Sequence, residues 1–154
     1  MMDLKEYQRR RTKLMDLMGD ESIAIIPTAS VFVRNRDVEF PFRPDSDFYY
    51  LTGYSEPDAI AVLIPDRHHG EYVLFCRESD PVQETWNGRR AGLEGAVEQY
   101  GADDAFPIGD LDEILPGLLE NQQRIFYTMG ANGGFDQRVV GWVNQVRKRA
   151  RTGV

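Results

Sequence analysis

Few residues in this 154-residue chain have the type and spacing to do chemistry. Its only histidines, His68 and His69, are adjacent in Pro65-Asp-Arg-His-His-Gly70. Neighbouring side chains on a turn diverge, whereas helical zinc sites place ligands at i and i+4, so the pair reads as a solvated turn rather than a metal site. The single cysteine, Cys76, closes the run Glu71-Tyr-Val-Leu-Phe-Cys76, and no signature pairs it with a base. A buried free thiol in such a position is ordinarily inert. Gly130-Ala-Asn-Gly-Gly134 lacks both the lysine and hydroxyl of a phosphate loop and the GxGxxG spacing, and reads as a strand-to-helix turn. The carboxylate pairs Asp103-Asp104 and Asp110/Asp112 fit helix starts, where negative charge meets the dipole. A hydrolase needs a nucleophile or metal, a base and a group that stabilises developing charge. No such set emerges, so peptide hydrolysis by this chain alone is not expected.

The elements that would position any site follow from periodicity. Leu4, Tyr7, Leu14, Leu17 and Met18 recur at helical spacing over residues 4–18, and Gly19 stops them. Ser22-Ile-Ala-Ile-Ile-Pro27 is a short apolar strand. Pro41 and Pro44 exclude a helix around them and hold the preceding residues extended. Phe48, Tyr49, Tyr50 and Leu51 are β-favouring and halted by Thr52-Gly53, so residues 47–51 are expected as a strand. Residues 59–64 and 71–76 are expected to pair antiparallel across the His68-His69 turn. Beyond them, a helical turn follows Asp80-Pro81 and ends near Gly88. Helices are expected over 93–100 and 111–119, with Pro116 capping or kinking the latter. A strand at 123–128 and a helix at 135–149 close the chain, with Val139, Trp142, Val143 and Val146 on one face. This order implies an α/β domain: one mixed β-sheet flanked by helices.

Composition narrows the function. With 42% hydrophobic and 28% charged residues, 154 residues suit one domain with an adequate core. A formal net charge of −7 argues against broad nucleic-acid binding. The basic clusters Arg9-Arg10-Arg11-Thr12-Lys13 and Arg147-Lys148-Arg149 read as solvated faces of terminal helices, an RNA- or membrane-binding arm being the alternative. No apolar run approaches a membrane span. The opening Met1-Met2-Asp3-Leu4-Lys5-Glu6 lacks the apolar stretch of a secretory signal, and one cysteine cannot form an internal disulfide. A cytoplasmic location is expected. The tail from Arg149 to Val154 has no core-facing pattern, as where a chain is cut before something larger.

The densest stretch, Arg36-Asp-Val-Glu-Phe-Pro-Phe-Arg-Pro-Asp-Ser-Asp-Phe-Tyr-Tyr-Leu-Thr-Gly-Tyr-Ser-Glu-Pro-Asp58, carries a resemblance. Its part from Asp45 onward resembles the signature of the N-terminal domain of the aminopeptidase P family, in the creatinase/prolidase superfamily. Glu6-Tyr-Gln-Arg-Arg-Arg11 with Leu14 is similar to that family's first helix. Thr85-Trp-Asn-Gly-Arg-Arg-Ala-Gly92 is similar to its Trp-x-Gly-x-Arg-x-Gly type of segment. Over 101–150 only the pattern of elements agrees.

The resemblance implies a ribonuclease H-like fold and a division of labour. Residues 1–154 would be a single N-terminal domain. Two metal ions, usually Mn²⁺, would sit in a C-terminal "pita-bread" domain absent from this chain, where metal-bound hydroxide attacks the bond before a proline at position two. The partners implied are that catalytic domain, further copies in a dimer or tetramer, and Xaa-Pro peptides as substrate of the whole enzyme. By the same resemblance Trp86 reaches a neighbouring subunit's active-site mouth and Asp37 approaches it. Trp86 could equally be core, although its polar neighbours Glu84, Asn87, Arg89 and Arg90 favour an exposed rim. Asp37 has the alternative of pairing with Arg34, Arg36 or Arg43. Arg89 and Arg90 are either salt-bridging surface groups or interdomain contacts, while Asp45 and Asp47 cap turns or hold an arginine. A prolidase- or creatinase-like parent, or a stand-alone binding module of the same fold, are the other readings.

Overall fold

The computed structural model describes residues 3–28 and 46–151. Asp37, Asp45, Pro41 and Pro44 lie outside the described residues.

Asp3 caps the first helix, α1 (Leu4–Met18), and Gly19 ends it at φ 80°. The strand β1 (Ser22–Pro27) follows, then the helix α2 (Ser46–Thr52), and the hairpin β2 (Ile60–Leu63) and β3 (Tyr72–Cys76). The second half contains α3 (Pro81–Asn87), α4 (Gly92–Glu98), β4 (Asp104–Pro107), α5 (Leu111–Leu119), β5 (Arg124–Phe126) and α6 (Gly133–Arg151).

The strands form one sheet in the order β4-β3-β2-β1-β5. β1, β2 and β3 pair antiparallel, with Ile60 opposite Phe75 and Leu63 opposite Tyr72 as the hairpin reading expects. β4 joins β3 and β5 joins β1 in parallel, which makes the sheet mixed. β2 and β3 are buried along their whole length because helices cover both faces. On one face Ile23, Ile25, Val62, Val73 and Phe75 pack with Leu111, Leu115, Phe135 and Trp142 from α5 and α6. On the other, Ala61, Leu63, Leu74 and Cys76 pack with Met15, Met18, Phe48, Tyr54 and Ala96.

Three expectations are corrected. Residues 47–51 are helical, not a strand. In a helix Phe48, Leu51 and Thr52 share one buried face, and the Thr52 hydroxyl donates to the Phe48 carbonyl at 2.8 Å. Burial on one side and partners for the last carbonyls outweigh the β preference of the aromatic run. Arg10 supplies one such partner, donating to the Tyr50 carbonyl at 3.1 Å, and Arg11 another, donating to that of Leu51 at 2.9 Å. The first basic cluster is therefore not wholly a solvated face. Arg11 is 5% exposed, its guanidinium 4.1 Å from the centre of the Tyr72 ring, and burial pulls its pKa down.

Asp103-Asp104 does not start a helix. Asp103 donates its N–H to the Tyr72 carbonyl and accepts from the Tyr72 N–H through its carboxylate, while Asp104 pairs with Arg67 at 3.0 Å and opens β4. Asp110 and Asp112 do stand at the start of α5. Asp112 also accepts the indole N–H of Trp142 at 2.9 Å and pairs with Arg138, tying α6 to α5.

Candidate substrate-entrance surface

Past Cys76 the chain leaves the sheet for a projecting segment, residues 77–91, that contains α3. Asp80 is its N-cap, the carboxylate accepting from the N–H groups of Val82 and Gln83 at 3.1 and 3.2 Å. Pro81 occupies the first turn, where its missing N–H costs nothing. Gly88, at φ +92°, ends the helix and donates to the Glu84 carbonyl. The side chains of Pro81, Val82, Gln83, Thr85 and Trp86 are exposed and Glu84 is half-buried.

Trp86 stands at 82% exposure with Val82, one turn earlier, at 69%, so together they form an apolar knob facing outward. A core role for Trp86 is excluded by this geometry; the buried tryptophan is Trp142, at 3%. Arg89 is exposed beside the knob and has no ion pair among the described residues. Arg90 is half-buried and donates to the Glu78 carbonyl at 3.3 Å, so it serves its own loop first. The structure brings Trp86, Arg89 and Arg90 onto one projecting segment, while Asp37 lies outside the described residues.

Below this segment the reactive residue types are quiet. Cys76 is buried at the end of β3, and burial pushes its thiol up to about 11, away from the thiolate a nucleophile needs. His68 and His69 are exposed on the β2–β3 turn, as their adjacency implied. The Gly130–Gly134 stretch is the turn into α6, held by Asp136, which accepts from the Gly130 N–H and the Tyr127 hydroxyl. Among the described residues no group of three or more His, Cys, Asp or Glu side chains converges as a metal site. No helix among them is long and apolar enough to cross a membrane.

Sequence reasoning missed two carboxylates that matter here. Glu56 pairs with Arg77 at 3.2 Å and accepts from the Ala91 N–H at 2.9 Å. Glu84 accepts from the N–H groups of both Asp80 and Arg90. Glu84 carried a local signal, its spacing four residues after an Asp-Pro helix start; Glu56 carried none.

The described residues thus form a mixed β-sheet clothed in helices, with an exposed tryptophan on a capped helix. The family model described as "Aminopeptidase P, N-terminal domain" matches residues 7–127. The chain belongs to that family and is an N-terminal domain of the aminopeptidase P type. It is 37% identical over 148 residues to the Xaa-Pro aminopeptidase of Escherichia coli, covering 96% of this chain and 34% of that protein. Against the mitochondrial intermediate cleaving peptidase 55 of Arabidopsis thaliana it is 37% identical over 126 residues, covering 82% of this chain and 25% of that protein. Among solved structures, Pseudomonas aeruginosa aminopeptidase PepP superposes with a TM-score of 0.92 at 58% identity, covering 99% of this chain and 34% of that one. Escherichia coli aminopeptidase P in complex with substrate superposes at 0.89 with 35% identity, covering 99% of this chain and 35% of that one. The chain thus spans about a third of the length of these bacterial relatives.

Proposed function

We propose that this chain is the non-catalytic N-terminal domain of a Xaa-Pro aminopeptidase, shaping the substrate entrance and supplying contacts between subunits of a cytoplasmic homo-oligomer. The observation that carries the reading is Trp86, a large apolar side chain held out in solvent on a capped helix. Exposing an indole forfeits its burial energy, roughly 2–3 kcal/mol for a large apolar side chain, so the position favours a contact made elsewhere. An indole face can narrow a peptide cleft and stack on a proline ring. Arg89 and Arg90, on the same segment, are suited to a carboxylate on the catalytic domain or a neighbouring subunit.

The catalytic chemistry falls to the remainder of the protein. The described residues do not fit a pair of Mn²⁺ ions, since no three His, Cys, Asp or Glu side chains converge among them. What this domain contributes is position: a rigid wall, an apolar contact for the substrate's proline end, and cations at the rim. Asp37, proposed to approach the same mouth, would add an acceptor for the free amino group of a substrate.

The test is Trp86→Ala in the full-length protein, assayed on Xaa-Pro peptides with metal content measured in parallel. KM is expected to rise about three- to tenfold with metal content unchanged. An unchanged KM, or loss of metal, would mean that Trp86 does not face the substrate path.

A further inference from the structure

Among its described side chains, Pro81 to Trp86, the helix that carries Trp86 has no buried face. Of these only Glu84 is even half-buried. A seven-residue helix is too short to persist on its own in water, and here packing cannot hold it either. Beside the Asp80 cap, its two ends are fastened by a pair of nested carboxylate ties. Glu84 closes the inner one: one oxygen accepts from the Asp80 N–H at 3.0 Å, just before the helix, and the other from the Arg90 N–H at 2.8 Å, just after it. Glu56, from the loop before β2, closes the outer one. It pairs with Arg77 at 3.2 Å where the segment leaves β3, and accepts from the Ala91 N–H at 2.9 Å where the segment returns. Gly92 completes the return at φ +70°, where an added Cβ would lie 2.4 Å from the Ser79 hydroxyl. Both feet of the projecting segment are thereby fastened to single carboxylates, and charge-assisted hydrogen bonds to N–H groups are stronger than neutral ones.

We propose that Glu84 and Glu56 are positioning residues for Trp86, fixing the direction in which the indole is presented to the substrate entrance; this rests on the entrance role proposed above. Neither carboxylate touches substrate. Each acts only through the segment it closes, so its loss moves Trp86 rather than removing a contact. A misplacement of about 1 Å at a group that contacts substrate is enough to weaken that contact measurably.

The experiment uses the full-length protein labelled with 5-fluorotryptophan, the Trp86 resonance being identified by its loss in Trp86→Phe. In Glu84→Ala and Glu56→Ala that resonance should shift or broaden. KM for an Xaa-Pro peptide should rise about threefold or more with kcat within about twofold. Glu84→Gln, which keeps the shape and one accepting oxygen, should fall between wild type and alanine. In a Trp86→Ala background, Glu84→Ala should add nothing further to KM. An unmoved Trp86 resonance in both alanine variants would overturn the proposal. So would an equal rise in KM with and without Trp86, because the carboxylate would then act by another route. If the resonance moves while neither Glu84→Ala nor Trp86→Ala changes KM, the entrance reading fails and the mechanical tie survives. Should an alanine variant fail to fold by circular dichroism, Glu84→Gln is judged by the same shift and KM criteria.

Discussion

Cys76 shows how environment decides what a residue type can do. A thiol at the end of a strand is a potential nucleophile, yet here it is buried in the core with Tyr54 and Ala96, its sulfur 3.9 Å from the Gly92 carbonyl. Burial disfavours the thiolate and moves the thiol from 9.0 to about 11. Because the neutral form is favoured in the fold, the contribution to stability is fully present below pH 9 and is lost as pH rises through about 11. Native protein at pH 8 should resist alkylation by iodoacetamide for hours, with complete reaction in denaturant; a fast native reaction read by mass spectrometry would contradict this. The inertness of Cys76 was legible in the sequence from its place in an apolar run. The tie made by Glu56 was not, because a carboxylate that accepts from a backbone N–H 35 residues away leaves no local pattern. Glu84, bonded four and six residues along the chain, left only the spacing from its Asp-Pro helix start. Arg11 was misleading for the related reason that arginine in a basic run normally faces water, whereas here it lies along Tyr72 and caps α2.

At the scale of elements, α2 marks where local preference loses. Its aromatic run favours a strand, but a helix places Phe48, Leu51 and Thr52 together on the core and offers its last carbonyls to Arg10 and Arg11. Gly53 makes this possible, turning the chain at φ +67° in a spot where a Cβ would lie 2.6 Å from the Tyr7 ring of α1. Gly53→Ala should therefore cost about 2–4 kcal/mol through the left-handed backbone and the clash together. The check is urea denaturation: a lowered midpoint with unchanged slope is expected, and an unchanged midpoint would mean that α2 does not dock as described. The elements read correctly from sequence, α1, β1, the β2–β3 hairpin, α3, α4, α5, β5 and α6, are those whose periodicity or end signals agree. β4 escaped because Asp104-Ala-Phe-Pro107 is short and opens on an acid, so its only advertisement is the ladder it forms with β3.

Across the described residues, β2 and β3 are wholly buried between two layers of helices, and no group of three or more His, Cys, Asp or Glu side chains converges as a metal site. The features that stand out at the surface are presented rather than reactive: an outward tryptophan, a neighbouring arginine, and carboxylates occupied in holding the segment in place. They suit the role proposed above for this chain, which spans about a third of the length of its bacterial relatives. The fold class was legible from the alternation of elements, and Trp86 was singled out by its motif and polar neighbours. Its orientation became visible only once the ties around α3 were in view. The most direct measurement is to assay the purified 154-residue chain, with and without Mn²⁺, for release of the N-terminal residue from Xaa-Pro peptides. No release above the buffer blank is predicted under either condition. Mn²⁺-stimulated release by this chain alone would contradict the division of labour proposed for it.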